Sequence, residues 1–133
     1  MEQFGTGGTR AERIASAWEA MAEHEHAITL KLIEGLKTFK GLTIRGITSA
    51  NAMHRRVPTV SFTIEGHHPN DLAQGFAQDN IFVWSGHSYA VEPVSRMGLM
   101  EKGGVLRVGL AHYNTEEEVD ALLSSLTRQT RSA

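Results

Sequence analysis

Apolar residues recur at steps of three, four or seven from Ala11 onward, at Ile14, Trp18, Met21, Ile28, Leu32, Leu36 and Phe39. That period predicts an amphipathic helix from Ala11 to Phe39, roughly 43 Å long if continuous. Such a helix is longer than a small domain usually buries, so its N-terminal half is expected to project. The stripe Ile14, Trp18, Met21 is then expected to form an oligomer interface or to meet another partner. His24 or Glu25 breaks the apolar seam between Met21 and Ile28.

Beyond Phe39 the period changes. LTIRGI (42–47) reads as a short strand and 48–56 as a polar loop. VPTVSFTIEG (57–66) alternates and is β-rich, with Pro58 at its start, where a missing N–H does least harm. Residues 67–80 begin with a turn and then place Leu72, Ala73, Phe76 and Ala77 on one helical face, weakened by Gly75. IFVWSG (81–86) is a strand, and 89–98, broken by Pro93, allows one or two helical turns. KGG turns the chain into a strand over 105–111. From Asn114 a helix follows, with Thr115 and Glu118 spaced as a capping box and Val119, Leu122, Leu123 and Leu126 facing inward. The order predicts an α+β fold, with an antiparallel or mixed sheet of about four strands and helices packed on one face. Residues 1–9 are expected to be a flexible lead-in, 10–128 a single domain and 129–133 a flexible tail.

Composition narrows the function classes. The chain has 133 residues and a net charge of −2, so no global field recruits nucleic acid or a membrane surface. It contains no cysteine, which excludes disulfides, Cys-ligated zinc and thiolate chemistry and suits a reducing compartment. No apolar run approaches a membrane span, and Met1 is not followed by a basic then apolar signal region, so a soluble cytoplasmic domain is expected. No nucleotide, zincin or nucleophile-elbow motif is present. His24 and His26, two apart on a helix, do not share a face and read as solvated surface. His67 and His68 read as an exposed turn. No metal ligands and no catalytic residues are assigned.

Two places carry candidate chemistry. In WSGHSYAVE (84–92) a strand ends at a glycine, and His87, Ser88 and Tyr89 follow on a loop, where ligand contacts are often built. In VLRVGLAHYN (105–114) Arg107 interrupts an apolar run, and a charge in a mostly buried strand is costly without a partner. Alternation puts Arg107 on the face of Val105, Gly109 and Ala111. Two readings stay open: an internal ion pair with Glu65 or Glu92, or an anionic ligand gripped by the guanidinium.

The stretch from Arg56 to Gly98, together with LRVGLAHYNTEEEVDALLSSL, resembles the C-terminal small domain of class V aminotransferases, pyridoxal-phosphate (PLP) enzymes of fold type I. The cysteine desulfurase-like branch is the most similar. The resemblance covers roughly residues 10 to 127. Its most specific part is Arg107, Ala111, Tyr113, Asn114, Thr115, Glu118, Val119 and Asp120. It implies that Arg107 binds the α-carboxylate of an amino-acid substrate, with His87 and Tyr89 lining the entrance. Two departures stand out. Tyr89 stands where desulfurases carry the sulfur-accepting cysteine, and Trp84 where many carry a second arginine. Desulfuration by that route is therefore closed to this chain.

The resemblance also implies a large domain that holds PLP on a lysine preceded by histidine. Here the lysines follow Leu30, Leu36, Phe39 and Glu101, so no cofactor-binding residue is assigned and PLP is expected only if a large domain joins or associates. The implied function is the small domain of a PLP-dependent transferase or lyase, not catalytic alone. The alternative is a stand-alone binding or dimerisation module built on that fold. The partners implied are the large domain or a second copy, and a small carboxylate ligand.

Overall fold

The computed structural model describes residues 5–131. Helix α1 (Arg10–Lys37) opens on a capping box: Thr9 Oγ1 accepts from the Glu12 N–H, and the Glu12 carboxylate accepts from the Thr9 N–H. Thr6 folds back on this turn, its N–H donating to Ser16 Oγ at 2.8 Å. The rest of the expected lead-in, residues 1–4, lies outside the described residues. Strands β1 (Leu42–Arg45), β2 (Thr59–Ile64), β3 (Trp84–Gly86) and β4 (Val105–Gly109) form one sheet in the order β1-β2-β4-β3. Every pairing is antiparallel, so the sheet is not mixed. Helices α2 (Pro69–Gln78), α3 (Val91–Arg96) and α4 (Glu116–Arg131) complete the fold.

Alternation decides which face is covered. On β2, Val60, Phe62 and Ile64 point inward, and on β4 Leu106 and Val108 do the same. They meet Ile28, Leu32, Ile33 and Leu36 of α1, Leu72 and Phe76 of α2, and Val119, Leu122 and Leu126 of α4 in one core. Each fully buried side chain of this size contributes roughly 1.5–3 kcal/mol by leaving water. The other face of the sheet carries Thr43, Ser61, Thr63 and Arg107 and is largely open. On this face Val105 packs with Val94 of α3 and Leu99 in a small separate cluster.

Several expectations change. Residues 48–56 are not a plain loop: Ala50–Arg55 form a 3-10 helix that buries Met53, because a single apolar side chain in a polar stretch can still anchor a turn. Arg56 holds this segment by donating to the Ile47 and Thr59 carbonyls, and burial lowers its pKa. Only 84–86 pair as a strand in 81–86; Ile81 and Val83 pack against the core without ladder bonds. Helix α4 continues through Arg131, beyond the position where the tail was expected to start. The N-terminal half of α1 does not simply project. Ala17 and Met21 are buried within the chain, Ile14 is half-buried, and Trp18 is 59% exposed. The expected stripe therefore reaches solvent mainly at Trp18, and Met21 is not available to a partner.

Candidate functional site

Register builds the site. Arg107 of β4 lies opposite Ser61 of β2 on one side and Trp84 of β3 on the other. Residues directly opposite in antiparallel strands share a face, so all three stand on the open side of the sheet. Arg107 is thus exposed rather than buried, and the cost expected for a charge in a closed strand does not arise. Among the described residues it forms no ion pair. Glu92 pairs instead with Arg96 at 2.7 Å, and Glu65 lies in a neighbouring cleft. The internal ion pair is therefore not the one formed.

Beside Arg107 is an open cleft of about 290 Å³, lined by Trp84, Ser88, Tyr89 and Arg107. Trp84 is 65% exposed and Tyr89 96%. The loop that delivers Ser88 and Tyr89 turns sharply at Gly86 (φ 106°), and both residues hold positive φ, 47° and 62°. Such conformations cost about 1–3 kcal/mol each and persist only where surrounding contacts enforce them. Here His87 supplies two: its Nδ1 accepts from the Tyr89 N–H at 3.2 Å, and its carbonyl accepts from the Ala90 N–H at 2.7 Å. His87 itself lies outside the lining of the cleft, so its place is the turn that sets Tyr89. The Ser88 hydroxyl is buried without a partner among the described residues. Gly104 lets β3 and β4 close beneath the loop, since a Cβ there would sit 2.3 Å from the Gly86 carbonyl oxygen.

The run after β4 is built as a helix cap. Asn114 Oδ1 accepts from the Ala111 N–H at 2.8 Å, and its amide donates to Glu118. Glu118 also accepts from the Thr115 N–H, and Thr115 Oγ1 accepts from the Glu118 N–H. The Asn114 bond, followed by the Thr115 N–H, lowers the Glu118 pKa. The Asn114 carbonyl bonds the His24 ring at 2.8 Å, which joins α1 to this corner. Lys31 of α1 adds bridges to Asp120 (2.8 Å) and Glu116 (3.1 Å) of α4, and the Asp120 bond is the largest cause of its raised pKa.

The family description Aminotransferase class-V matches residues 11–122. The chain belongs to this family. It is 37% identical over 116 residues to the Aminotransferase-like protein FGM3 of Gibberella zeae, covering 86% of this chain and 29% of that protein. It is 32% identical over 114 residues to the Probable cysteine desulfurase 2 of Mycobacterium leprae, covering 86% and 26%. The chain thus spans less than a third of the length of these relatives. In fold it is similar to a cysteine desulfurase from Thermococcus onnurineus NA1, with a TM-score of 0.75 and 23% identity over 98% of this chain and 34% of that one. The cysteine desulfurase CsdA of Escherichia coli aligns with a TM-score of 0.70 and 21% identity, over 95% and 32%.

The family is PLP-dependent, but the residues of this cleft do not fit that cofactor by themselves. No lysine lines it. Lys31 and Lys37 are held by carboxylates, and Lys102 lines a different cleft. Among the described residues no group of three or more His, Asp or Glu side chains is arranged to hold a metal, and no helix is long and apolar enough to cross a membrane. The sequence pointed to Arg107 and to the His87–Ser88–Tyr89 loop; it did not point to Ser61, which only strand register brings beside Arg107.

Proposed function

We propose that this chain acts as the small domain of a class V PLP-dependent enzyme, presenting Arg107 to the α-carboxylate of an amino-acid substrate and inactive alone. The observation that carries this reading is an exposed guanidinium that makes no ion pair among the described residues and lines an open cleft together with Trp84, Ser88 and Tyr89. A bidentate carboxylate contact suits that setting: the strand fixes the root of the side chain on the open face, and the planar guanidinium matches a carboxylate with two parallel donors. Tyr89 supplies a phenol at the rim, and Trp84 a flat apolar wall that narrows the approach. Transamination, lyase or epimerase chemistry at the α-carbon belongs to the assembly with a large domain that holds PLP. Sulfur transfer to a loop cysteine does not, since this chain contains none.

Two measurements test this. Purified chain with PLP and a panel of amino acids should show no turnover, and PLP-dependent turnover by the chain alone refutes the reading. In an NMR titration with propionate, shifts should centre on Ser61, Trp84 and Arg107 and vanish in Arg107→Gln; binding indifferent to that substitution removes the carboxylate anchor. A second reading, a stand-alone dimerisation or binding module, draws on the exposure of Trp18 beside half-buried Ile14. It requires a concentration-dependent dimer in sedimentation that Trp18→Glu dissociates; a monomer at all concentrations rejects it.

A further inference from the structure

Arg107 shares its row with a second arginine. Arg45 of β1 lies opposite Ser61, and Ser61 lies opposite Arg107, so both guanidiniums rise from the open face with one small hydroxyl residue between them. Two inter-strand steps separate their Cα positions, about 10 Å. Arg45 is half-buried and held in place: its Nη2 donates to Thr63 Oγ1 at 3.0 Å. Its Nε is buried with no acceptor among the described residues. Among the described residues no carboxylate pairs with Arg45 either.

The surroundings of Arg45 also suit an anion. With Thr63 it lines a cleft of about 580 Å³, bordered by Lys102, His67 and His68 and by one carboxylate, Glu65. Two permanent cations outweigh that single acid. An acidic surface of another protein would also neutralise Arg45, but a recess of this volume, two strands from Arg107 on the same sheet face, favours a small molecule that spans the two arginines.

We propose, resting on the Arg107 reading, that the open face takes a dicarboxylate, with one carboxylate on Arg107, the second on Arg45, and the intervening carbons passing over Ser61. In the assembled enzyme this selects an amino acid with an acidic side chain over one with an apolar side chain. Ser61 matters by its size: a larger residue there would separate the two clefts.

The test is an NMR titration of the chain at low ionic strength with propionate, glutarate and adipate. One or both dicarboxylates should bind about tenfold more tightly than propionate, the scale of one added charged hydrogen-bond pair at an exposed site. Their shifts should extend from Arg107 through Ser61 to Arg45 and Thr63. Arg45→Gln should return them to the affinity of propionate and leave propionate unchanged. Dicarboxylates no tighter than propionate, or tighter still in Arg45→Gln, overturn the second subsite alone. Propionate binding that is indifferent to Arg107→Gln removes instead the anchor on which it rests.

Discussion

Adjacent residues on β4 should respond in opposite ways to substitution. Leu106 is fully buried between the sheet and the helices, whereas Arg107 is exposed and makes no ion pair among the described residues. Truncating Leu106 to alanine removes buried methyl groups and leaves a cavity, a loss of about 2–5 kcal/mol. Arg107→Gln removes a charge from an open sheet face and should change stability by about 0.5 kcal/mol or less. For a chain of this size about 4 °C of melting temperature corresponds to 1 kcal/mol. Leu106→Ala should therefore lower the midpoint by about 8–20 °C, and Arg107→Gln by about 2 °C at most. Circular dichroism melts, checked by urea titration, read both. Carboxylate binding should follow the reverse order, lost in Arg107→Gln and retained in Leu106→Ala at temperatures where that variant stays folded. A loss above about 1 kcal/mol in Arg107→Gln would show that the guanidinium serves the fold and would refute its assignment to a ligand.

Two further outcomes follow from the packing. The Asp79 carboxylate accepts from Ser125 and from Arg128, in that order of effect, and its pKa is lowered. Its folded-state value lies below its unfolded one, so it adds stability above the ordinary aspartate range that is lost as pH falls through the folded value. Wild type should accordingly exceed Asp79→Asn in urea midpoint at neutral pH, with the gap closing in acid; a gap independent of pH rejects the bond. Gly104→Ala places a Cβ against the Gly86 carbonyl at φ +83° and should cost about 2 kcal/mol or more. Gly46→Ala, with open space around it, should cost less, and equal urea midpoints for the two would disprove the close approach of β3 and β4.

The helices and the covered face of the sheet were legible because their signals are local. Periods of three and four fixed α1 and α4 to within a few residues, and alternation in 57–66 fixed the inward set on β2. Met21 was misjudged because a stripe reports which side of a helix is apolar, not what the rest of the chain lays against it. The exposure of Arg107 was not legible for a related reason. Val105, Leu106 and Val108 are all buried, which reads as a closed strand, yet Val105 is covered from the other face by α3 and Leu99. The apolar run sums two separate clusters on opposite sides of one strand.

The run that begins at Arg107 divides its work between two places, since the residues after Arg107 build a helix cap. Its bonds run from Ala111 through Asn114 and Thr115 to Glu118, and they fix the exit of β4 to the first turn of α4. That corner in turn fixes β4 against the core, and with it the position from which Arg107 rises. The cap therefore acts on the cleft through the backbone, while the groups proposed to meet a ligand lie outside it. Trp84 comes from β3, Ser61 and Arg45 from β2 and β1, and pairing register sets them in line with Arg107, while the loop after β3 delivers Ser88. A substitution in the cap should thus weaken the fold without altering which carboxylates bind, and a substitution in the Arg45–Ser61–Arg107 row should do the reverse.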